Sequence, residues 1–165
     1  MNPNTFRNLS YGVYIVSTWD KGRPTGCTAN SAMQITSSPA TLAVSLNHDN
    51  YTNGCIKDCG YFAVSILAED SPPVLIGSFG FRSGRDTDKF DGVESEIAAG
   101  LPVLKAGCGY IVCKVIDSME TATHTVFLGE VVEAEPRAGT PMTYAYYHSV
   151  IKGKTAKNAP TYIKE

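Results

Sequence analysis

No apolar run in the 165 residues reaches the roughly 18 that a membrane helix needs, so no membrane association is expected. The opening residues, MNPNTFRNLS, have no basic stretch leading into an apolar core, so no secretory signal is read there and a cytoplasmic protein is expected. Positive charge is scarce as well. Fourteen basic and sixteen acidic side chains leave a net charge of −2, too little for the counterion release that drives nucleic-acid binding. The five cysteines, Cys27, Cys55, Cys59, Cys108 and Cys113, lack the C-x-x-C pairs of a zinc or rubredoxin-type iron site, so no metal is expected. Free thiols in a reducing compartment are the plain reading. The spacing of Cys55 and Cys59, one helical turn, leaves a redox pair open. In such a compartment the sequons Asn8-Leu9-Ser10 and Asn50-Tyr51-Thr52 carry no glycan. The nucleotide fingerprints are missing too: G-x-G-x-x-G does not occur, and Gly153-Lys154-Thr155 has His148 where a P-loop needs its first glycine.

What is present is material for a β-rich core. Apolar residues make up 43% of the chain and charged ones 18%, which excludes intrinsic disorder, and the length suits one domain over 1–165. Fifteen glycines, nine prolines and nine tyrosines fit many short strands and turns. Period-two runs bounded by Gly, Pro, Asn or Asp predict strands over Tyr11–Trp19, Thr41–Leu46, Tyr61–Leu67, Gly109–Ile116 and His124–Glu133. Five or more strands imply a barrel or a sandwich. Short helices are predicted over Asn53–Cys59, ended by Gly60; over Pro72–Ser78, with Ser71 as N-cap; and over Pro141–Ile151. Consecutive strands are joined mainly by loops, which argues against an alternating nucleotide-binding α/β fold.

Three segments are too polar and too rich in glycine for plain core. In RPTGCTANSAMQ, Gly26 is followed by Cys27, Thr28, Ala29, Asn30 and Ser31, small side chains that let a planar ligand such as a flavin or pterin approach the backbone. A polar edge strand is the other reading of the same residues. In SLNHDNYT an apolar strand runs out into Asn47, Asn50 and Thr52 just before a helix, placing amides and helix N-terminal N–H groups where an anion can be held, or forming an ordinary cap. In SFGFRSGRDTDKF, Arg82, Arg85 and Lys89 with Ser83 match a phosphate dianion; a solvated mixed-charge loop is the alternative. The three histidines, His48, His124 and His148, stand in separate segments and form no ligand or triad spacing.

The series YGVYIVST, GCTANS, SSPATLAVSLN, YFAVSIL, SGRDTDKF, GLPVL, HTVFLGEVVEAE and PMTYAYY resembles the flavin reductase-like family of FMN-binding split barrels over nearly the whole chain. The closing stretch, YYHSVIKGKTAKNAPTYIKE, is similar to the branch in which this domain occurs alone or fused to rubredoxin. The resemblance implies a mainly β, six-stranded antiparallel Greek-key split barrel with short flanking helices, acting as a homodimer. It implies FMN as cofactor and NADH or NADPH as electron donor, with a flavin, ferric or redox-protein acceptor such as rubredoxin. Such chemistry is carried by the cofactor and needs no protein nucleophile. Carried over by position, Gly26, Cys27, Thr28, Ala29, Asn30 and Ser31 would line the ring edge. Ser45, Leu46 and Asn47 would meet the ribityl chain; Asn50, Thr52, Arg82, Ser83, Lys89 and Phe90 would lie toward the phosphate. His124 would face the nicotinamide side, and Tyr144 and Tyr147 would cover the flavin. Two rival readings are an FMN electron carrier of the flavoredoxin type without a nicotinamide site, and a pyridoxamine-phosphate-oxidase-like or haem-binding split barrel.

Overall fold

The computed structural model describes residues 1–162, so the last three residues of the closing stretch quoted above lie outside the described residues. After a 3-10 turn at Pro3–Asn8 come β1 (Tyr14–Asp20), β2 (Arg23–Ala29), β3 (Ala32–Ser37), β4 (Ala40–Asn47), α1 (Tyr51–Cys59), β5 (Tyr61–Ile66) and α2 (Pro73–Gly80). Then follow β6 (Ser95–Ala98), β7 (Leu101–Leu104), β8 (Gly109–Glu120), β9 (His124–Pro136) and α3 (Tyr144–Ser149). Seven strands form one antiparallel sheet in the order β2-β1-β5-β8-β9-β4-β3, and β6 and β7 pair as a separate hairpin.

The connectivity forces this sheet to curl. Its two edges are β2 and β3, and only Asn30 and Ser31 separate them in the chain. Three peptide links reach at most about 11 Å, so the edges must meet and the sheet closes into a barrel with a seam at these two residues. The Ser45 N–H donates to the Ser31 carbonyl (3.0 Å), which carries the β3–β4 pairing up to that seam. Counted as one bent strand, β2 and β3 give the expected six.

Local physics accounts for most element boundaries. Asn50 caps α1 by accepting from the Thr52 N–H, so the helix starts two residues before the prediction, and Gly60 ends it in the left-handed region at φ 77°. Ser71 does not cap α2. Its hydroxyl accepts from the Ala68 N–H instead, so Pro72 takes the cap position with no side-chain bond and the helix starts at Pro73. The third helix is shorter than predicted because Pro141 and Thr143 bridge to Ala68 and Gly12 as extended chain, and Thr143 then caps α3 at the Tyr146 N–H. β8 and β9 outrun their predicted ends, to Glu120 and Pro136. β2 and β3 were hidden in a polar segment, since edge strands carry small and polar residues and tolerate Pro24.

Inside the barrel, Val16, Val44, Phe62, Val64 and Phe127 are almost fully buried. Each contributes about 1.5–3 kcal/mol by leaving water. Gly129 makes room for the largest of them: a Cβ there would stand 2.8 Å from the Phe62 ring and 2.5 Å from the Cys113 Cβ. A second cluster, with Val13, Ile15, Leu67, Phe79 and Met142, fixes α2 and α3 to the outside of β1.

Candidate functional site

A cavity of about 320 Å³ opens where β2, the end of β4, the start of α1, the loop after α2 and residues 156–160 converge. That volume falls within the range of small-molecule sites, about 300–1,000 Å³. Its two ends differ in chemistry.

One end is cationic. The cap on α1 sets the helix N-terminus, the positive end of its dipole, against the cavity beside Arg82 and Ser83. Arg23 donates to the Gly84 carbonyl (2.5 Å) and to the Asp20 carboxylate (2.8 Å), and Asp20 accepts in turn from the Tyr51 hydroxyl (3.0 Å). The loop and the helix are thereby tied to the same carboxylate. Gly84 is needed there because a Cβ would run into the Thr25 hydroxyl. Lys89 is 4% exposed and donates to the Ser78 (3.1 Å) and Phe79 (2.9 Å) carbonyls. Among the described residues no carboxylate pairs with it. Burial lowers its pKa to about 8; the Cys27 thiol opposes that shift and the Arg82 guanidinium adds to it. An ammonium carries three donors, and two are used here.

The other end is lined by Thr28, Ala29, Asn30, Gly80 and Phe81 on one side and by residues 156–160 on the other. The Thr28 hydroxyl donates to the Ile76 carbonyl (2.9 Å) and the Asn30 amide donates to the Thr161 hydroxyl (2.7 Å), so this wall is mostly backbone and small side chains. Gly26 brings β2 close to β1: a Cβ would stand 2.6 Å from the Val16 carbonyl oxygen. Cys27 is buried in the wall, and burial pushes its thiol pKa up, keeping it protonated.

Of the residues singled out in the sequence, Gly26, Cys27, Thr28, Ala29, Asn30, Ser45, Leu46, Asn47, Asn50, Thr52, Arg82, Ser83 and Lys89 line this one cavity. Two do not. Phe90 is buried with its ring edge-on to Phe79 at 5.2 Å, because it points away from the cavity that its neighbour Lys89 enters. Ser31 lies on the seam and donates to the Asn30 side chain. His124 is also outside the lining. It pairs with Asn47 across β4 and β9, its Nδ1 stands 2.8 Å from the Thr123 hydroxyl, and its Nε2 is buried with no partner. Burial lowers the His124 pKa, and the Asn158 backbone beside the ring opposes that shift. Tyr144 and Tyr147 border a smaller apolar pocket next to the cavity. Cys55 is buried on α1, where burial raises its pKa to about 11; Cys59 is half-buried, and both thiols are free.

Sequence reasoning missed Asp49, Tyr51, Gly84 and residues 156–160 as cavity lining. Residues 156–160 have no period and no turn signature that could have announced them.

The family model described as "Flavin reductase like domain" matches residues 6–154. The chain belongs to the flavin reductase-like family. Within it, a ferric-chelate reductase (NAD(P)H) of Archaeoglobus fulgidus is 41% identical over 99% of this chain and 99% of its own length. A high molecular weight rubredoxin of Moorella thermoacetica is 41% identical over 98% of this chain and 72% of its own. Among solved structures, flavin reductase PheA2 in its native state superposes with a TM-score of 0.75 at 29% identity, covering 87% of this chain and 93% of that one. The mainly β split barrel of the family is therefore the fold of this chain, and no helix among its described residues is long and apolar enough to cross a membrane.

The family's cofactor chemistry can be tested against the residues present. A flavin mononucleotide has a flat ring system at one end and a phosphate at the other. A buried ammonium without a carboxylate, beside Arg82 and a capped helix N-terminus, suits the phosphate. The small-residue wall from Thr28 to Asn30 suits the ring. The residues fit.

Proposed function

We propose that the chain is an FMN-dependent NAD(P)H oxidoreductase of the flavin or ferric reductase type. The observation that carries this reading is the pairing, in one cavity, of the buried Lys89 ammonium, which no carboxylate among the described residues pairs, with a wall of small residues from Thr28 to Asn30. When bound, FMN supplies acceptance of a hydride from a nicotinamide and release of the electrons to an acceptor.

The chain's own residues bind, orient and exclude water. Lys89, Arg82, Ser83 and the α1 N-terminus hold the phosphate, and charge-assisted bonds of this kind are worth about 1.5–3 kcal/mol each. Ser45, Leu46 and Asn47, on the run-out of β4, meet the ribityl chain. Gly26, Cys27, Thr28, Ala29 and Asn30 hold the ring against the main chain of β2. Cys27 stays protonated and inert, and His124 positions the nicotinamide side from behind Asn158.

The same reading makes the chain a cytoplasmic single-domain protein that pairs with a second copy. Exposed Met33 and Ile35 on β3, Ile116 and Met119 on β8 and Val132 on β9 support that pairing, since they leave apolar side chains on the outside of one curved sheet. A redox-protein acceptor is supported by the relative named as a rubredoxin.

The decisive experiment is rapid mixing of the FMN-loaded protein with NADH or NADPH under anaerobic conditions. Bleaching of the flavin absorbance is expected. Absence of bleaching at millimolar nucleotide would leave the electron-carrier reading in its place, and a Soret band in the purified protein would displace both.

A further inference from the structure

Residues 154–162 run along the ring end of the cavity in a manner unlike the rest of its wall. Among the described residues, the backbone–backbone hydrogen bonds of this segment are Ala159 N–H to the Ala156 carbonyl and Tyr162 N–H to the Ala159 carbonyl, and neither reaches a strand. Side chains hold the segment in place. The Tyr147 hydroxyl donates to the Lys154 carbonyl (3.0 Å), the Tyr144 and Thr155 hydroxyls stand 2.6 Å apart, and Asn30 donates to Thr161 (2.7 Å). At its root, the Gly153 N–H donates to the Tyr147 carbonyl (3.0 Å), and His148 Nδ1 donates to the Gly153 carbonyl (2.9 Å). Gly153 sits so close to Tyr147 that a Cβ would run into the ring. A segment tied by few, side-chain-mediated bonds opens at a far lower free energy than a strand in a ladder. The family model ends at residue 154, so most of this segment lies outside the residues it matches. The segment's Asn158 backbone also stands beside the His124 ring.

We propose that residues 153–161 form a gate over the ring end of the cavity, hinged at Gly153 and latched by Tyr147, Tyr144 and Asn30, which must lift for the nicotinamide donor to enter. This rests on the oxidoreductase reading given above. The closed strap occupies the approach to the ring end, so donor entry and strap closure exclude each other. Loosening the latch raises the open fraction and with it the rate of donor entry.

Two latch variants, Thr155→Val and Tyr147→Phe, and one displaced-strap variant, Gly153→Val, test the gate in the full chain. Trypsin cleavage after Lys154 and Lys157 reads strap opening without reference to activity. Anaerobic bleaching of bound FMN by NADH or NADPH reads donor access, and bleaching by dithionite serves as the small-reductant control. Each latch variant is expected to raise strap cleavage and the second-order rate of nucleotide bleaching together, by about two- to tenfold, the effect of one lost hydrogen bond. Gly153→Val should exceed both, with dithionite rates unchanged. Faster cleavage with an unchanged or slower nucleotide rate overturns the gate, as does unchanged cleavage in Gly153→Val. Bleaching absent from wild type and present in Gly153→Val supports the gate strongly. Bleaching absent from both removes the donor reading and the gate with it, a result distinct from equal bleaching in both, which removes the gate alone.

Discussion

At the cationic end of the cavity, α1, the loop around Gly84 and Lys89 are anchored to main-chain carbonyls and to the Asp20 carboxylate; at the ring end, residues 156–160 hang on hydroxyls and one amide. The first arrangement cannot move without leaving buried donors unpaired, which costs about 1–3 kcal/mol per group. The second can move at small cost. On the proposed reading, affinity for the cofactor would belong to the anchored end and access to it to the hung end, within one site a single ligand would span.

The sharpest way to break that division is Lys89→Ala. It removes the buried cation, and FMN affinity is expected to fall by about 1.5–3 kcal/mol, roughly ten- to 150-fold, in an equilibrium fluorescence titration. The strap variants should move the same affinity by less than about threefold, below one net hydrogen bond. Equal losses at the two ends would erase the distinction. Next in size is Asn50→Ala, which deletes the cap that sets the α1 N-terminus against the phosphate. Urea unfolding of the empty protein should show a loss of about 1 kcal/mol, with weaker FMN binding in addition.

A further test is one of pH. The Lys89 pKa in the folded, empty protein lies at about 8, below its ordinary value of 10.5. A depressed folded pKa means the unfolded chain holds more protons between those two values, so the stability of the empty protein should rise as pH climbs from about 8 toward 10.5. The bound phosphate needs the charged ammonium, so FMN affinity should fall over the same range. Thermal unfolding and FMN titration across that window should run in opposite directions, and Lys89→Met should abolish both trends.

Much of this was legible in the residues. Tyr61–Ile66 and Gly109–Ile116 are short runs rich in β-branched and aromatic residues bounded by glycine, and they pair as strands in the sheet. The small-residue segment after Gly26 and the charged segment after Ser78 read as a candidate ring slot and a candidate anion clamp, and residues of both line the one cavity. Other features depend on contacts that a linear reading does not carry. β2 is an edge strand packed across Gly26, so it lacks the branched apolar residues that mark a central strand. Lys89 and Arg85 are alike in sequence, but only Lys89 is buried, because the chain turns inward at the Phe79–Phe90 contact. Phe90, adjacent to a cavity residue, is core for the same reason. The 156–160 segment has no periodicity because no strand or helix contributes to its position.

The seam at Asn30 and Ser31 has a further consequence. The residues that seal the barrel are the ones that flank the ring end of the cavity, so a ligand seated there acts as a rivet across the closure. In the empty barrel no strand pairing joins β2 to β3 along that line. Cofactor supply would then govern how much of the protein survives as well as how much is active, since binding to the folded form alone draws the whole folding equilibrium toward it.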